Sequence, residues 1–226
     1  MSDPSESPIG PVRAVVLDYG GVMTTPVRDS LAACFAAEDI RPDSFTAVLR
    51  EWLGRNAADG TPIHRLETGA LAAEEFERLI APRLVTGSTR PVEPAGLLGR
   101  LFAEMADEPA MATLVRDLRT RGVATGLLSN SWGNAYPRAT LDALFDAVVI
   151  SEEVRLRKPD PRMFATVLDR LGVQAGETVF VDDARSHVDA ANALGLRAVL
   201  HVDPATTRTR LAALVPGLDP AAQEVP

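Results

Sequence analysis

Five short runs of apolar, mostly β-branched residues punctuate the chain: RAVVLD at 13–18, TGLLSN at 125–130, AVVIS at 147–151, TVFVDD at 178–183 and RAVLHV at 197–202. Each is continuous rather than alternating, as expected of a strand buried on both faces of a parallel sheet. Gly20 and Gly21 stop the first run. Helical patterns lie between the later ones. MATLVRDLRTRG precedes the second run and stops at Gly122, PRMFATVLDRLG opens near prolines and stops at Gly172, and ARSHVDAANALG stops at Gly195. Proline near a helix start and glycine just past its end are the usual punctuation.

Strand and helix in alternation predict an α/β fold, a Rossmann-like open parallel sheet with right-handed crossovers. Ligands in such sheets sit beyond the carboxyl ends of the strands. Residues 26–105 break the rhythm: RDSLAACFAAE, DSFTAVLREWLG, AEEFERLIAPRL and EPAGLLGRLFAEM are helical, and no strand pattern occurs among them. We expect a disordered lead at 1–12, an α/β core at 13–25 and 106–215, a helical cap inserted at 26–105, and a tail at 216–226. Hinges are expected near Thr24 to Pro26 and Asp107 to Pro109. Trp52 and the aromatics near it read as cap core.

Composition narrows the class. With 226 residues and 46% hydrophobic content, the chain can bury a real core. A formal net charge of -8 argues against nonspecific binding to nucleic acid or anionic membranes, and leaves small anionic substrates open. No apolar run approaches the ~20 residues needed to span a bilayer, and the opening MSDPSESPIGP lacks a signal peptide's basic and apolar regions. The single cysteine, Cys34, excludes an intrachain disulfide and fits a reducing cytoplasm; within LAACFAAE it reads as a small buried helix residue. The pattern does not choose between a monomer and a homodimer.

The candidate chemistry falls at strand ends. Asp18 ends the first strand, Ser129 and Asn130 the second, and Asp182 and Asp183 the fourth; Lys158 lies in the loop after the AVVIS strand. Singly, each has an ordinary reading as a cap, a turn or a solvated loop residue. Adjacent carboxylates repel, however, and call for a nearby cation. Three carboxylates with backbone carbonyls make a hard oxygen site suited to Mg²⁺. Such a site would let Asp18 approach a phosphate ester as nucleophile, with Lys158, the Ser129 hydroxyl and the backbone amides of Gly20 and Asn130 holding phosphoryl oxygens.

In VVLDYGGV, LLSN, RLRKPDPRMF and VFVDDARSHVDAANALG, in that order, the chain resembles the haloacid dehalogenase superfamily from residue 13 to about 202. The insertion lies where that family carries its C1-type cap, and HRLETGALAAEEF is similar to a cap segment of the group. The resemblance implies a hydrolase acting on a small phosphorylated metabolite through an aspartyl-phosphate. It implies Asp18 as nucleophile and metal ligand, Ser129 and Asn130 at the phosphate, Lys158 as the motif lysine, and Gly20, Asp182 and Asp183 around Mg²⁺, with Asp183 the surer of the pair. Phosphatases of the family usually place a general acid two residues after the nucleophile, where this chain has Gly20. The DxGGV variant is similar to a subset that includes active sugar-phosphate phosphatases. His187 stands where the family often has Asn or Asp.

Two other functions are weighed. A 2-haloacid dehalogenase would use the same nucleophile without metal; Gly20 and the Asp182–Asp183 pair count against it. A noncatalytic binding protein of the same fold has only the missing acid in its support. His64 reads first as a surface or cap-core histidine and second as a cap residue facing the site. His201 reads as structural, Tyr19 equally as packing or as substrate contact, and Arg13, Arg155 and Arg157 as solvated or flanking, with Arg157 able to meet an anion.

Overall fold

The computed structural model describes residues 10–54, 57–133 and 136–221. Most of the expected lead, and the last five residues of the expected tail, lie outside them. Among the described residues five strands form one parallel sheet: β1 (Ala14–Leu17), β2 (Ala124–Ser129), β3 (Ala147–Ile150), β4 (Thr178–Asp182) and β5 (Arg197–Leu200). Their order is β3-β2-β1-β4-β5, the Rossmann-like arrangement. The chain winds outward in both directions from β1 and β4, so the crevice between those two strands is the switch point where such sheets bind ligands.

Continuous apolar strands arise because helices cover both faces. Val15, Leu17, Val179 and Val181 pack with Met111, Leu114 and Leu118 of α6 (Pro109–Thr120) and with Leu211 of α11 (Pro204–Ala212). The alternate residues Val16, Leu128, Val149 and Phe180 face the other way, onto Met163, Phe164 and Val167 of α9 (Pro161–Leu171) and Ala191 of α10 (Arg185–Ala193). Period-two alternation thus persists in space although both sets are apolar. The helix punctuation is as read: Pro161 opens α9 behind the Asp160 side chain, which accepts from Arg162 N, and Gly172 closes it at φ 64°.

Between β1 and α6 the chain forms α1 (Val27–Ala37), α2 (Pro42–Leu53), α3 (Pro62–Glu67), α4 (Ala73–Ile80) and α5 (Leu97–Leu101). These helices have their own hydrophobic cluster, including Cys34, Phe45, Trp52, Ile63, Phe76 and Leu97. α5 is shorter than the EPAGLLGRLFAEM pattern suggests. Gly96 starts it in the left-handed region at φ 71°, and the buried Glu77 carboxylate accepts the free amides of Gly96 and Leu98 at 3.0 and 2.9 Å. The two connections to the sheet run side by side. Thr24 bridges Asp107 antiparallel, Thr25 N donates to Ala106 O at 2.8 Å, and Glu108 N donates to Met23 O at 2.9 Å.

The first residues of the tail expected from 216 are attached to the core. Val215 and Leu218 are buried in the sheet's cluster, and Arg208 donates to the carbonyls of Asp219 and Ala221. Apolar residues spaced along that stretch made the attachment possible, but no periodic pattern long enough to read announced it. Two short helices also escaped the sequence pattern, α7 (Arg138–Leu144) and α8 (Ser151–Val154).

Candidate active site

Strand register sets the first contact. Leu17 pairs with Val181 across β1 and β4, so the next residues, Asp18 and Asp182, lie side by side at the carboxyl edge. Asp18 N extends the ladder to Val181 O at 2.9 Å. The chain then turns back, with the amides of Val22, Met23 and Thr24 all directed at Tyr19 O. Gly21 adopts φ 76°, and a Cβ there would sit 2.5 Å from Asp183 Oδ2. Only glycine lets this loop lie against that carboxylate.

Carboxylate oxygens of Asp18, Asp182 and Asp183 lie within 4.8 Å of one another. The Lys158 ammonium, fully buried, bridges Asp18 Oδ1 at 2.8 Å and Asp182 Oδ2 at 2.7 Å. Asn130 fixes the lysine from behind: its Oδ1 accepts Lys158 N at 2.8 Å and its Nδ2 donates to Lys158 O at 3.1 Å. Ser129 Oγ lies 2.9 Å from Tyr136 Oη. Asp182 is fully occupied, since its Oδ1 also accepts Ala184 N at 2.8 Å and His187 Nδ1 approaches at 3.1 Å. Asp183, by contrast, is open, and its carboxylate is met by its own backbone amide with no hydrogen bond from another of the described residues.

The electrostatics follow from this crowding. Burial pushes the Asp18 carboxyl up, to about 7, against the pull of Lys158; Asp182 and Asp183 push the same way. Burial also works against the charge on Lys158, but Asp18 and Asp182 outweigh it and hold the ammonium above its usual range. Burial raises Asp182 too, yet Lys158 and His187 win and bring it down to about 2. Two buried carboxylates therefore share one ammonium, while the third, Asp183, stands beside them in the open.

Above them lies a cavity of about 510 Å³ between the sheet edge and the inserted helices. It brings together Asp18, Gly20, Ser129, Asn130, Lys158 and Asp183, with Tyr19, His187 and Arg157 beside them. His64, first read as surface or core, lines it from α3. His201 is buried away from it, its Nδ1 2.8 Å from Thr207 Oγ1. The contact the sequence did not suggest is made by Glu67. This buried carboxylate ends α3, takes a hydrogen bond from Trp132 Nε1 at 3.2 Å and pairs with Arg157. Ser151 Oγ donates to its backbone carbonyl, and Arg155 donates to the carbonyl of Gly69. The inserted helices are thus tied to the loops that carry Lys158 and Asn130.

Comparisons with known proteins agree with this layout. The profile of the haloacid dehalogenase-like hydrolases matches residues 12–195. Acyl-CoA dehydrogenase family member 10 of Mus musculus is 28% identical over 212 residues, which are 90% of this chain and 19% of that protein. The chain therefore spans about a fifth of that relative's length. Phosphatase MT3486 of Mycobacterium tuberculosis is 29% identical over 197 residues, 84% of this chain and 87% of that one. Phosphoglycolate phosphatases and an (S)-2-haloacid dehalogenase are also among the similar proteins. A family enzyme of Bacteroides thetaiotaomicron, solved with magnesium and inorganic phosphate, shares the fold at TM-score 0.60 and 20% identity, over 84% of this chain and 94% of its own. The sheet order, the strand-end carboxylates and the matched profile lead to one conclusion: the chain belongs to the haloacid dehalogenase-like hydrolases.

Proposed function

We propose that this hydrolase is a magnesium-dependent phosphomonoesterase that acts on small phosphate esters with Asp18 as nucleophile. The observation that carries the reading is three carboxylates within 4.8 Å of one another at the sheet edge, only two of them bonded to the one buried lysine. One ammonium does not balance three carboxylates, and the donors are all hard oxygens, so the residues fit a divalent cation of the magnesium type. Asp183, being open, and Asp18 would hold it together with the carbonyl of Gly20. Asp182, expected from the sequence as a direct ligand, has both oxygens committed; it is better suited to anchoring Lys158 and His187. When bound, the ion would offset the phosphate's charge and so allow an anionic nucleophile to approach.

The chain's own residues would do the rest. An Asp18 oxygen attacks phosphorus, the ester P–O bond breaks, and its electron pair leaves on the alcohol oxygen as an anion that then takes a proton from solvent. Water then attacks the aspartyl-phosphate, inorganic phosphate leaves, and the carboxylate is restored. Lys158, held at the Asp18 carboxylate, faces the charge that builds on the phosphoryl oxygens. Ser129 and the amides of Gly20 and Asn130 would bind those oxygens. The Asn130 side chain is already spent on the Lys158 backbone, so its part is positional. No carboxylic acid stands at position 20 to protonate the leaving oxygen, an omission that forgoes a contribution of about 10²- to 10⁴-fold. Esters of acidic alcohols, whose oxygen leaves readily as an anion, suit such a site best.

Turnover of p-nitrophenyl phosphate should fall to background on exhaustive chelation with EDTA and return with magnesium chloride. Full turnover after chelation would remove the magnesium-dependent mechanism, whereas no turnover of the ester together with halide release from 2-chloropropionate would favour 2-haloacid dehalogenation. Gly21→Ala should lower turnover by about 10²-fold, the order of loss that accompanies a displacement of about 1 Å in a catalytic group. Its added methyl displaces Asp183, so its half-saturating magnesium concentration should rise as well. An unchanged magnesium requirement would mean that Asp183 is not at the cation.

A further inference from the structure

The floor of the cavity over Asp18 is charged, but the wall supplied by the inserted helices is carbon. Leu31, Leu49, Leu53, Phe102 and Met105 line it, and Trp132 joins them from the loop after β2. Four of them (Leu31, Leu49, Phe102 and Trp132) pack against the insertion's hydrophobic cluster while remaining only partly buried, and Leu53 keeps 38% of its surface exposed. The insertion's core therefore continues as an apolar face into the cavity. Ligand cavities are commonly lined by carbon in this way, with a few polar groups that orient what they bind.

Polar groups that could meet a hydroxylated substrate are scarce there. The Glu67 carboxylate is taken by Arg157 and Trp132. The His64 ring is left as the wall's free polar group among the described residues. Ser186 and His187 line the opposite, core side of the cavity, so a sugar would press its hydroxyls on this side against leucine and phenylalanine with one imidazole to receive them, and each buried hydroxyl without a partner weakens binding. An apolar body would instead remove two carbon surfaces from water at once. The position of Gly20 points the same way: a Cβ there would meet Val27 and Met105, carbon again, at 3.4 and 4.0 Å.

We infer that the substrate is a phosphate monoester of an alcohol with an apolar body, an aryl ester above all, and not a sugar phosphate. This rests on the phosphatase reading given above. An aryl oxygen answers two features of the site together, since it fills the carbon wall and leaves without a strong general acid.

The test is a series of esters whose leaving groups are almost equally acidic: phenyl phosphate and its 4-methyl, 4-ethyl, 4-propyl and 4-butyl derivatives, compared with glucose 1-phosphate, all with magnesium. The value of kcat/KM should climb by about fourfold per methylene until the wall is covered, and glucose 1-phosphate should fall well below the butylphenyl ester. Leu49→Gln should flatten the climb. A flat series with ready turnover, or a preference for glucose 1-phosphate, would overturn the apolar assignment and leave the phosphatase reading standing. No turnover of any ester would remove both.

Discussion

Asparagine at position 18 is expected to cut phosphate-ester turnover by at least about 10⁴-fold, the scale seen when a covalent nucleophile is removed. The substitution keeps the shape of the side chain. Its carbonyl oxygen can still accept from Lys158 Nζ and from Tyr19 N, which stand 2.8 and 2.7 Å from Asp18 Oδ1. What disappears is the nucleophile and one of three crowded charges. The fold should therefore not suffer: without magnesium, the variant's thermal midpoint should equal or exceed that of the native chain, because repulsion among Asp18, Asp182 and Asp183 has been relieved. Magnesium should raise the midpoint less than it does in the native chain. Calorimetry with EDTA and with magnesium chloride, beside initial rates, checks both halves. A variant that is inactive because it is unfolded would show a lowered midpoint instead.

Lys158→Met should be severe in a different way. The ammonium is wholly buried and touches two carboxylates. Removing it strands both, and breaking a buried ion pair on one side costs about 3–5 kcal/mol. Turnover should also drop, by about 10³-fold or more, as expected for losing a charge that stabilises the phosphoryl oxygens. Asn130 grips the backbone of residue 158 and not its side chain, so the loop should hold its place. Magnesium should then rescue stability in part, by supplying charge to the same carboxylates, while activity stays low. Urea unfolding with and without magnesium separates the two losses. Lys158→Arg should not substitute, because a longer planar guanidinium cannot keep both short contacts that the compact ammonium makes with Asp18 and Asp182.

The sheet could be read from the chain because burial on both faces writes itself as unbroken apolar runs, and Asp18, Ser129, Asp182 and Asp183 end those runs. Lys158 was legible through its place in a recognisable loop and not through any local property. Other features depend on contacts that no window of sequence contains. Glu67 meets Trp132 across 65 residues and Arg157 across 90, and nothing beside Glu67 distinguishes it from an exposed helix-end acid. The cavity position of His64 depends on how α3 docks, which the same contacts decide. α7 and α8 are too short for a helical period to emerge. The distinction between Asp182 and Asp183 was also hidden: two adjacent acids look alike until the lysine and histidine bonded to the first are seen.

The most direct test of Asp18 as a phosphate-accepting nucleophile is rapid acid quench of a single turnover with ³²P-labelled phenyl phosphate, followed by mapping of the labelled peptide. Gly20 leaves the second half-reaction without its usual base, so the phosphoryl-enzyme should accumulate. Label should appear on the peptide containing Asp18 within the first turnover, only when magnesium is present, and not in Asp18→Asn. Complete release of phosphate with no label on that peptide at any quench time, or undiminished turnover by Asp18→Asn, would contradict it.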